Sequence, residues 1–446
     1  MDKPNIVFVF TDQQRFDTCG CYGQKLDITP NLDKMAKEGV LFQHAFTNQP
    51  VCGPARSIIQ TGKYATETMC YRNGIALPLN EKTIADYLSE AGYSVAYIGK
   101  WHLASTILKS KENVGPKVDY TITAVPPERR GGYKDYWLAS DVLEYTSHPN
   151  EGHLFNQNME KVEFSGYRVD CLTNFALDFL DNYEEQKPFF LFISFLEPHQ
   201  QNDIQKIVGP EGSKEKFKVY DVPKDLVNTE GDWKEFFPDY LGCCNRIDSN
   251  LKRITDKIDD LGISDNTVFI FVSDHGCHFR TRTWEYKRSC HDSSIRVPLV
   301  IKGPGFMGGK KVNELVSLIN LAPTILGIAG VPIPDHMSGK KLQELIENPN
   351  LYWNDEIFIQ ISESQVGRAL RTEKWKFSMN APKKSGFWHA FSNTYVGQYL
   401  YDLETDPYER TNLIHLPEYN EIKSKLAERL VERMVEIREP RPDIKI

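Results

Sequence analysis

Four short apolar segments, each followed at once by polar residues, constrain the fold of this chain more than any other feature of its sequence. They span residues 5–11, 94–98, 189–195 and 267–273. Their length and their content of β-branched and aromatic residues are typical of buried strands. Segments with helical spacing lie between them, and this alternation predicts a largely parallel sheet with helices on both faces. Polar residues just beyond the carboxyl ends of such strands lie where α/β proteins bind ligands.

The pattern changes near residue 355, where short strands replace the alternation. Four segments predict an antiparallel sheet, and residues 419–436 predict a helix that packs on it. The four segments are 357–361, 368–372, 375–379 and 398–403. We therefore divide the chain into a large α/β domain, residues 1–354, and a smaller C-terminal α+β subdomain, residues 355–446.

A long polar stretch, residues 109–167, interrupts the first domain. It is rich in Pro, Gly, Arg and Tyr and shows no clear periodicity. Long irregular loops in a compact enzyme often bind the substrate, so we predict that role for this stretch.

Charge and cysteine content exclude several classes of protein. The net charge of −8 argues against nucleic acid or a long polyanion as partner, but it permits a small anion in a local positive pocket. Nine cysteines, without zinc-ribbon spacing, do not predict a disulfide scaffold or a zinc ribbon. No apolar run has transmembrane length and no secretory signal follows Met1, so we expect a cytoplasmic protein without a membrane partner, provided that Met1 is the natural start.

The segment Cys52-Gly53-Pro54-Ala55-Arg56 has the features of a helix start. A helix N-terminus presents free N–H groups and partial positive charge, which favour an anion or an activated nucleophile. Arg56 lies one turn further along and could brace an oxyanion. A structural cysteine that caps the helix explains the five residues equally well, so the segment alone leaves both explanations open.

Residues whose side chains could bind a metal, bind an anion or transfer a proton follow all four predicted strands. In chain order they are Asp12 and Gln13, Lys100 and His102, His199, and Asp274 and His275. On an extended segment Lys100 and His102 would point the same way, and Asp274 with His275 could bind a metal. Each also has an ordinary explanation, as a turn or cap aspartate, a surface lysine or a core histidine.

Together these motifs resemble the type I sulfatases of the alkaline phosphatase-like superfamily. The ordered series covers nearly the whole chain and comprises TDQQR, CGPAR, GKWHL, EPH, SDHG, Lys287 before SIRVPL, and YDLETDPYERTNL. The resemblance implies a sulfuric ester hydrolase. It also implies an α/β fold in which helices sandwich a large, mostly parallel sheet, beside a smaller antiparallel sheet with a helix.

For Cys52, the resemblance implies conversion to formylglycine (3-oxoalanine) by a formylglycine-generating maturation enzyme. One hydroxyl of the hydrated aldehyde would attack sulfur and displace the sugar or aryl alcohol, which leaves the sulfate on the enzyme. The second would then lose its proton, and the aldehyde would reform as sulfate leaves through C–O cleavage.

The resemblance also implies roles for other residues. The ligands of one divalent cation, most simply Ca²⁺, would be Asp12, Gln13, Asp274 and His275. Arg56 would position the hydrated aldehyde, and Lys100 and Lys287 would hold sulfate oxygens. His102 would take the proton in the release step, and His199 would bind and help to protonate the leaving oxygen.

The metal motif departs from the family pattern at two positions. Many members have a second Asp where this chain has Gln13, and Asn is common where it has His275. The site thereby loses one carboxylate and gains a nitrogen ligand. Mn²⁺, Mg²⁺ and Zn²⁺ therefore remain open beside Ca²⁺.

Two other functions remain open. Phosphonate monoester and phosphodiester hydrolases of the same superfamily share the fold, a modified Cys and an Asp-Gln pair, but Lys100 and His102 match the sulfatase pattern instead. A non-catalytic binder of sulfated glycans would usually have lost one of the six catalytic residues, and none is lost here. We expect an exo-acting enzyme whose substrate is a small sulfated carbohydrate, such as a glycosaminoglycan-derived mono- or disaccharide.

Several residues are candidates for binding the sugar, although each could also be an ordinary structural or surface residue. They are Arg72, Asn73, Arg129, Arg130, Tyr133, His153, Arg368 and His389.

Overall fold

The computed structural model describes residues 3–106, 117–183, 187–348 and 350–446. Within these residues the strands form a sheet of twelve and a second sheet of five. The strands of the large sheet are β1 Asn5–Asp12, β2 Val40–Phe46, β3 Ser94–Lys100, β4 Tyr136–Ser140, β5 Ser147–His148, β6 Glu151–Asn156, β7 Lys161–Ser165, β8 Phe189–Pro198, β9 Thr267–Ser273, β10 Arg296–Val297, β11 Leu299–Lys302 and β12 Lys310–Ser317.

The centre of the large sheet is parallel and its edges are mixed. Strands β9, β1, β8, β3 and β4 are neighbours in that order, and all four pairs run parallel. On one side β11 runs antiparallel to β9 and β2, and on the other β6 runs antiparallel to β4. The predicted parallel arrangement of the four apolar strands is confirmed.

Helices cover both faces of this sheet. The helices are α1 Pro30–Glu38, α2 Cys52–Thr61, α3 Ile84–Glu90, α4 Leu143–Thr146, α5 Arg168–Asp181, α6 Ser213–Lys216, α7 Trp233–Asp260, α8 Asp292–Ile295, α9 Leu321–Ile328, α10 Gln343–Glu347 and α11 Asn420–Glu436. Side chains of α2, α3 and α9 belong to one hydrophobic cluster, and those of α1, α5 and α7 to another. No helix of the described segments has both the length and the apolar character needed to cross a bilayer.

The packing of strand β1 explains why residues 6–10 are all apolar. Phe8 and Phe10 pack into the cluster beneath α2, whereas Val7 and Val9 pack into the cluster on the opposite face. A strand buried on both faces needs apolar side chains at every position, because successive side chains alternate between the faces.

The C-terminal sheet follows the predicted segments closely. Its strands are β13 Glu356–Ile361, β14 Gly367–Thr372, β15 Trp375–Asn380, β16 Thr394–Asp402 and β17 Asp443–Lys445. The first four run antiparallel, β17 joins β16 in parallel, and α11 packs on the sheet. The division into two domains at residue 354 stays a prediction.

The prediction of an irregular loop over residues 109–167 is wrong for residues 136–165. Residues 109–116 lie outside the described residues, but the rest contains β4 to β7 and α4. These edge strands are short, and β7 alternates charged with apolar residues. A strand that buries only one of its faces has few apolar residues. When such a strand is also short, its sequence is easily mistaken for that of a loop.

Candidate active site

The carboxyl ends of four parallel strands meet at one edge of the large sheet. Asp12 ends β1, Lys100 ends β3, and His199 and Asp274 directly follow β8 and β9. All four side chains are buried. The structure brings these four polar side chains together, and helix α2 brings Cys52 to the same place.

The thiol of Cys52 lies at the centre of this group. Its Sγ is 3.0 Å from Nζ of Lys287, 3.4 Å from Oδ1 of Asp12 and 3.4 Å from Nε2 of His275. Burial and Asp12 would raise the pKa of the thiol, but Lys100 and Lys287 outweigh them, so its pKa is lowered. An atom in the position of Sγ therefore faces both a cationic donor and a set of potential metal ligands.

Four side chains place potential metal-binding atoms together. The atoms of Asp12, Cys52, Asp274 and His275 lie within 4.8 Å of one another, and all four residues are buried. Oδ2 of Asp274 and Oε1 of Gln13 are buried without a hydrogen-bond partner among the described residues. Buried oxygens rarely lack a partner, so this donor set fits a divalent cation.

The tautomer of His275 supports the same conclusion. Its Nδ1 lies 2.9 Å from the carbonyl oxygen of Gly276, which can only accept, so Nδ1 carries the proton. Burial lowers the pKa of His275 to about 4, so at neutral pH Nε2 has a free lone pair. This lone pair faces Asp274 Oδ1 at 3.5 Å and Asp12 Oδ1 at 3.7 Å. One ring nitrogen and two carboxylate oxygens that face one another at these distances are suited to a cation.

The pKa values of the two aspartates of this group are shifted in opposite directions. Burial and the charge of Asp12 raise the pKa of Asp274 to about 7. Burial would also raise the pKa of Asp12, but Lys100 and other nearby cations hold it well below its usual range.

Two cations hold Asp12 from the side opposite the thiol. Nζ of Lys100 donates to Oδ2 of Asp12 at 2.8 Å, and Arg56 Nη2 lies 3.2 Å from the same oxygen. Arg56 also donates through Nη1 to Ser194 Oγ and to the Lys100 carbonyl oxygen, both at 2.7 Å. Arg56 is thus fixed at the base of the site.

Glu144 is a site residue that the sequence analysis missed. Its Oε1 lies 3.2 Å from Nζ of Lys100, so this ammonium is shared between two carboxylates. Burial would raise the pKa of Glu144, but Lys100 outweighs it and lowers the pKa to about 2. Glu144 belongs to the short helix α4, inside the stretch predicted as a loop, and no motif marks it.

Two histidines line the cavity that opens above Cys52. His199 Nδ1 lies 2.6 Å from the carbonyl oxygen of Gln200, which fixes its proton there, and the ring also forms a hydrogen bond with the Cys52 thiol. His102 does not lie on extended backbone as predicted, because β3 ends at Lys100 and His102 has a φ of 61°. Asp141 holds the segment beyond it through the amides of Ala104 and Ser105.

The cavity has a volume of about 430 Å³, and Cys52, His102, His199 and Lys287 all line it. Asn73, Glu285, Arg288 and Glu363 line it as well. Its mouth carries exposed aromatic side chains: Trp284 is 69% exposed, Tyr145 57% and Phe387 40%. Pockets of this size bind small molecules.

Of the eight residues considered for sugar binding, Asn73 lines this cavity. The other seven do not, and they are Arg72, Arg129, Arg130, Tyr133, His153, Arg368 and His389. Arg368 is buried against Glu439 in the C-terminal sheet, and the hydroxyl of buried Tyr133 contacts Gln60. A sequence pattern cannot distinguish such buried pairs from ligand-binding residues.

Comparison with known proteins identifies two family models in the chain. The model described as sulfatase matches residues 4–331, and the model described as N-sulphoglucosamine sulphohydrolase, C-terminal, matches residues 281–436. An ulvan-active sulfatase from Formosa agariphila is 30% identical, over 98% of this chain and 82% of the relative. An arylsulfatase from Clostridium perfringens is 31% identical, over 94% and 92%. An N-acetylglucosamine-6-O-sulfatase from Bacteroides thetaiotaomicron is 25% identical, over 99% and 88%.

Solved structures show the same fold. A Bacteroides fragilis protein assigned as a sulfatase superposes with a TM-score of 0.83 at 23% identity, covering 98% of this chain and 97% of its own. A protein solved in complex with its substrate, D-glucosamine-2-N,6-O-disulfate, superposes with a TM-score of 0.78 at 21% identity, covering 99% of both chains. The expected architecture, a large sheet between helices with a smaller C-terminal sheet, is confirmed.

Proposed function

The chain belongs to the sulfatase family and is a sulfuric ester hydrolase, and from this premise we propose that it removes sulfate from a small carbohydrate. We propose exo action on a glycosaminoglycan-derived mono- or disaccharide. The observation that carries the proposal is the position of Cys52, which is 1% exposed at a cavity of about 430 Å³. Such a cavity has room for a sulfate and the sugar that bears it rather than for a long polymer.

The sulfatase family uses two groups besides the chain's unmodified side chains. Formylglycine made from Cys52 would supply a hydrated aldehyde, whose hydroxyl would be the nucleophile toward the sulfur of the ester. Asp12, Gln13, Asp274 and His275 would hold a divalent cation, most simply Ca²⁺, which would supply positive charge to stabilise the sulfate ester. The family implies both groups.

The chain's own residues bind and orient the ester. Lys287, whose Nζ is 3.0 Å from Sγ, is placed to donate to a sulfate oxygen and to the group at position 52. Lys100 adds a second positive charge, which Asp12 and Glu144 hold in place. Preorganised cations stabilise charge that develops on the sulfate oxygens without reorganising during the reaction.

Proton transfer falls to the two histidines of the cavity. His199 donates its Nδ1–H to the Gln200 carbonyl oxygen, so Nε2 is the nitrogen that, once protonated, can donate a hydrogen bond and then a proton to the leaving oxygen. Burial and Lys100 lower the pKa of His102 to about 4, so its ring is neutral near pH 7 and can accept a proton.

Sugar chemistry is supported by the relatives and by the aromatic mouth. One relative is named as active on ulvan and another on N-acetylglucosamine-6-O-sulfate, and one solved protein holds a sulfated glucosamine. Exposed aromatic faces such as that of Trp284 suit contact with the apolar face of a sugar ring. We also propose a cytoplasmic location, which the nine free thiols support because reduced cysteines are typical of that compartment.

A substrate comparison tests the reaction class. Protein whose Cys52 has been shown by mass spectrometry to be modified should hydrolyse an aryl sulfate with higher kcat/KM than the matching aryl phosphonate and phosphodiester. Better turnover of the phosphorus esters would favour the phosphonate hydrolase alternative. A panel of defined sulfated mono- and disaccharides, assayed by sulfate release, would then identify the sugar and the sulfate position.

A second prediction concerns the mouth of the cavity. Trp284→Ala should raise KM for a sulfated disaccharide about tenfold, because the second ring loses an aromatic contact, which corresponds to about 1.4 kcal/mol. The kcat/KM for a small aryl sulfate should stay within about twofold. Trp388→Ala is the matched control, since Trp388 is equally exposed at 69% but does not line the cavity. Equal effects of both variants on KM would contradict a sugar contact at Trp284.

A further inference from the structure

We propose that Glu363, in the C-terminal sheet region, is a positioning residue that holds the Cys52 helix and the Lys287 loop in one fixed arrangement. This inference rests on the proposed function of the site. Glu363 is 6% exposed and follows β13 by two residues. Its two carboxylate oxygens make two separate connections, and each leads to a different side of the active site.

The first connection reaches the start of the nucleophile helix. Oε1 of Glu363 accepts from the backbone N–H of Asn73 at 2.8 Å. The side chain of Asn73 then accepts from the backbone N–H of Gly53 at 2.9 Å. Gly53 directly follows Cys52, and its N–H is one of those left free at a helix N-terminus. A hydrogen-bond partner at this amide fixes the first turn of α2, from which the Cys52 side chain extends.

The Asn73 contact depends on close approach. A Cβ added to Gly53 would lie 3.0 Å from Oδ1 of Asn73 and 3.4 Å from the carbonyl oxygen of His102. The glycine therefore lets Asn73 and the segment that carries His102 pack directly against the helix start. Any displacement of Asn73 would therefore alter the packing of both the helix start and the segment that carries His102.

The second connection reaches Lys287. Oε2 of Glu363 pairs with Nη2 of Arg288 at 2.5 Å, and Arg288 also pairs with Glu285. Oε1 of Glu285 in turn accepts from the backbone N–H of Lys287 at 3.2 Å. Arg288 is thus held between two carboxylates, and the residue that precedes it carries the ammonium that lies 3.0 Å from Cys52 Sγ.

The backbone of Glu363 is itself held in an uncommon conformation. Its φ is 63°, a left-handed value that non-glycine residues seldom adopt. Its N–H donates to the carbonyl oxygen of Gly386 at 3.2 Å, which ties it to the loop between β15 and β16. Such strain persists where the surrounding structure requires it, and here it directs the carboxylate toward the cavity that Glu363 lines.

One carboxylate that serves both connections couples the two sides of the site. The distance between the nucleophile and Lys287 is then set by a residue outside the large sheet. Sequence motifs do not mark Glu363, because its role depends on contacts made across 290 and 75 positions of the chain, with Asn73 and Arg288. It needs no contact with the substrate to act.

The test compares Glu363→Ala with Glu439→Ala. Both wild-type residues are buried carboxylates paired with an arginine, but Glu439 pairs with Arg368 and does not line the cavity. Glu363→Ala should lower kcat for an aryl sulfate by about 10- to 100-fold, because both catalytic segments lose their alignment. Glu439→Ala should lower the melting temperature while kcat stays within about twofold. Activities are expressed per formylglycine, measured by mass spectrometry of the peptide that contains residue 52.

Two additional readouts keep the inference independent of catalysis and of folding. Glu363→Gln keeps an acceptor for the Asn73 amide and should recover part of the lost kcat. Hydrogen exchange should accelerate in peptides covering 52–56 and 285–288 in Glu363→Ala but not in Glu439→Ala. Unchanged exchange and kcat in Glu363→Ala, or equal losses of kcat in both alanine variants, would overturn the inference. Accelerated exchange in a protein that hydrolyses no sulfate ester would support the positioning role and reject the proposed function.

Discussion

Replacement of Cys52 by alanine is expected to abolish sulfate ester hydrolysis while the protein still unfolds in one cooperative transition. The side chain at position 52 is the one that the family mechanism converts into the nucleophile, and loss of a nucleophile lowers kcat by about 10⁴-fold or more. The loss of stability should be small. Removal of one buried sulfur costs about 1 kcal/mol, and Asp12 keeps its contacts with Lys100 and Arg56.

The measurement is kcat on an aryl sulfate together with thermal unfolding followed by circular dichroism. Cys290→Ala is the matched control, because Cys290 is equally buried at 1% and burial raises the pKa of its thiol to about 11, as expected for an unreactive cysteine. That variant should keep its kcat within about twofold. Loss of the cooperative transition in Cys52→Ala would instead support the structural cysteine that the pentapeptide alone left open.

Much of the site could be predicted because its residues follow strands. Asp12, Lys100, His199 and Asp274 lie at or just beyond the ends of four adjacent parallel strands, where topology brings residues together whatever their separation in sequence. The apolar runs predict those strands from local pattern alone. The predicted placement therefore holds for these four side chains, whereas their roles in catalysis stay predictions.

Residues that act through tertiary contacts could not be predicted. Glu144 reaches Lys100 from a four-residue helix, and Glu363 reaches Asn73 from the neighbourhood of the second sheet. No local periodicity or motif distinguishes either carboxylate from a surface glutamate. The same limitation explains Arg368, which was considered as a sugar ligand but forms a buried pair with Glu439. Only the packing of distant segments separates these cases.

Removal of the divalent cation is expected to stop turnover and to lower the melting temperature. Asp12, Asp274 and His275 face one another in a fully buried group, and a cation that binds there binds the folded state alone. At a concentration 100 times its dissociation constant, such a ligand stabilises the fold by about 2.7 kcal/mol. Protein treated with a chelator should therefore melt earlier, and Ca²⁺ should restore both the melting temperature and kcat.

A pair of variants separates this effect from general loss of stability. Asp274→Asn removes a metal-facing carboxylate and should eliminate the rise in melting temperature on addition of Ca²⁺. Asp248→Asn also removes a buried carboxylate, which accepts from the backbone amides of Asn31 and Leu32. This variant should have a lower melting temperature, but Ca²⁺ should still raise that temperature by the full amount. Chelated protein that keeps its kcat and melting temperature would contradict the metal site, and stoichiometric zinc in protein purified without chelator would reject calcium. Gln13 and His275 make zinc a realistic alternative. They give the site one fewer carboxylate and one nitrogen ligand, whereas Ca²⁺ prefers an all-oxygen shell.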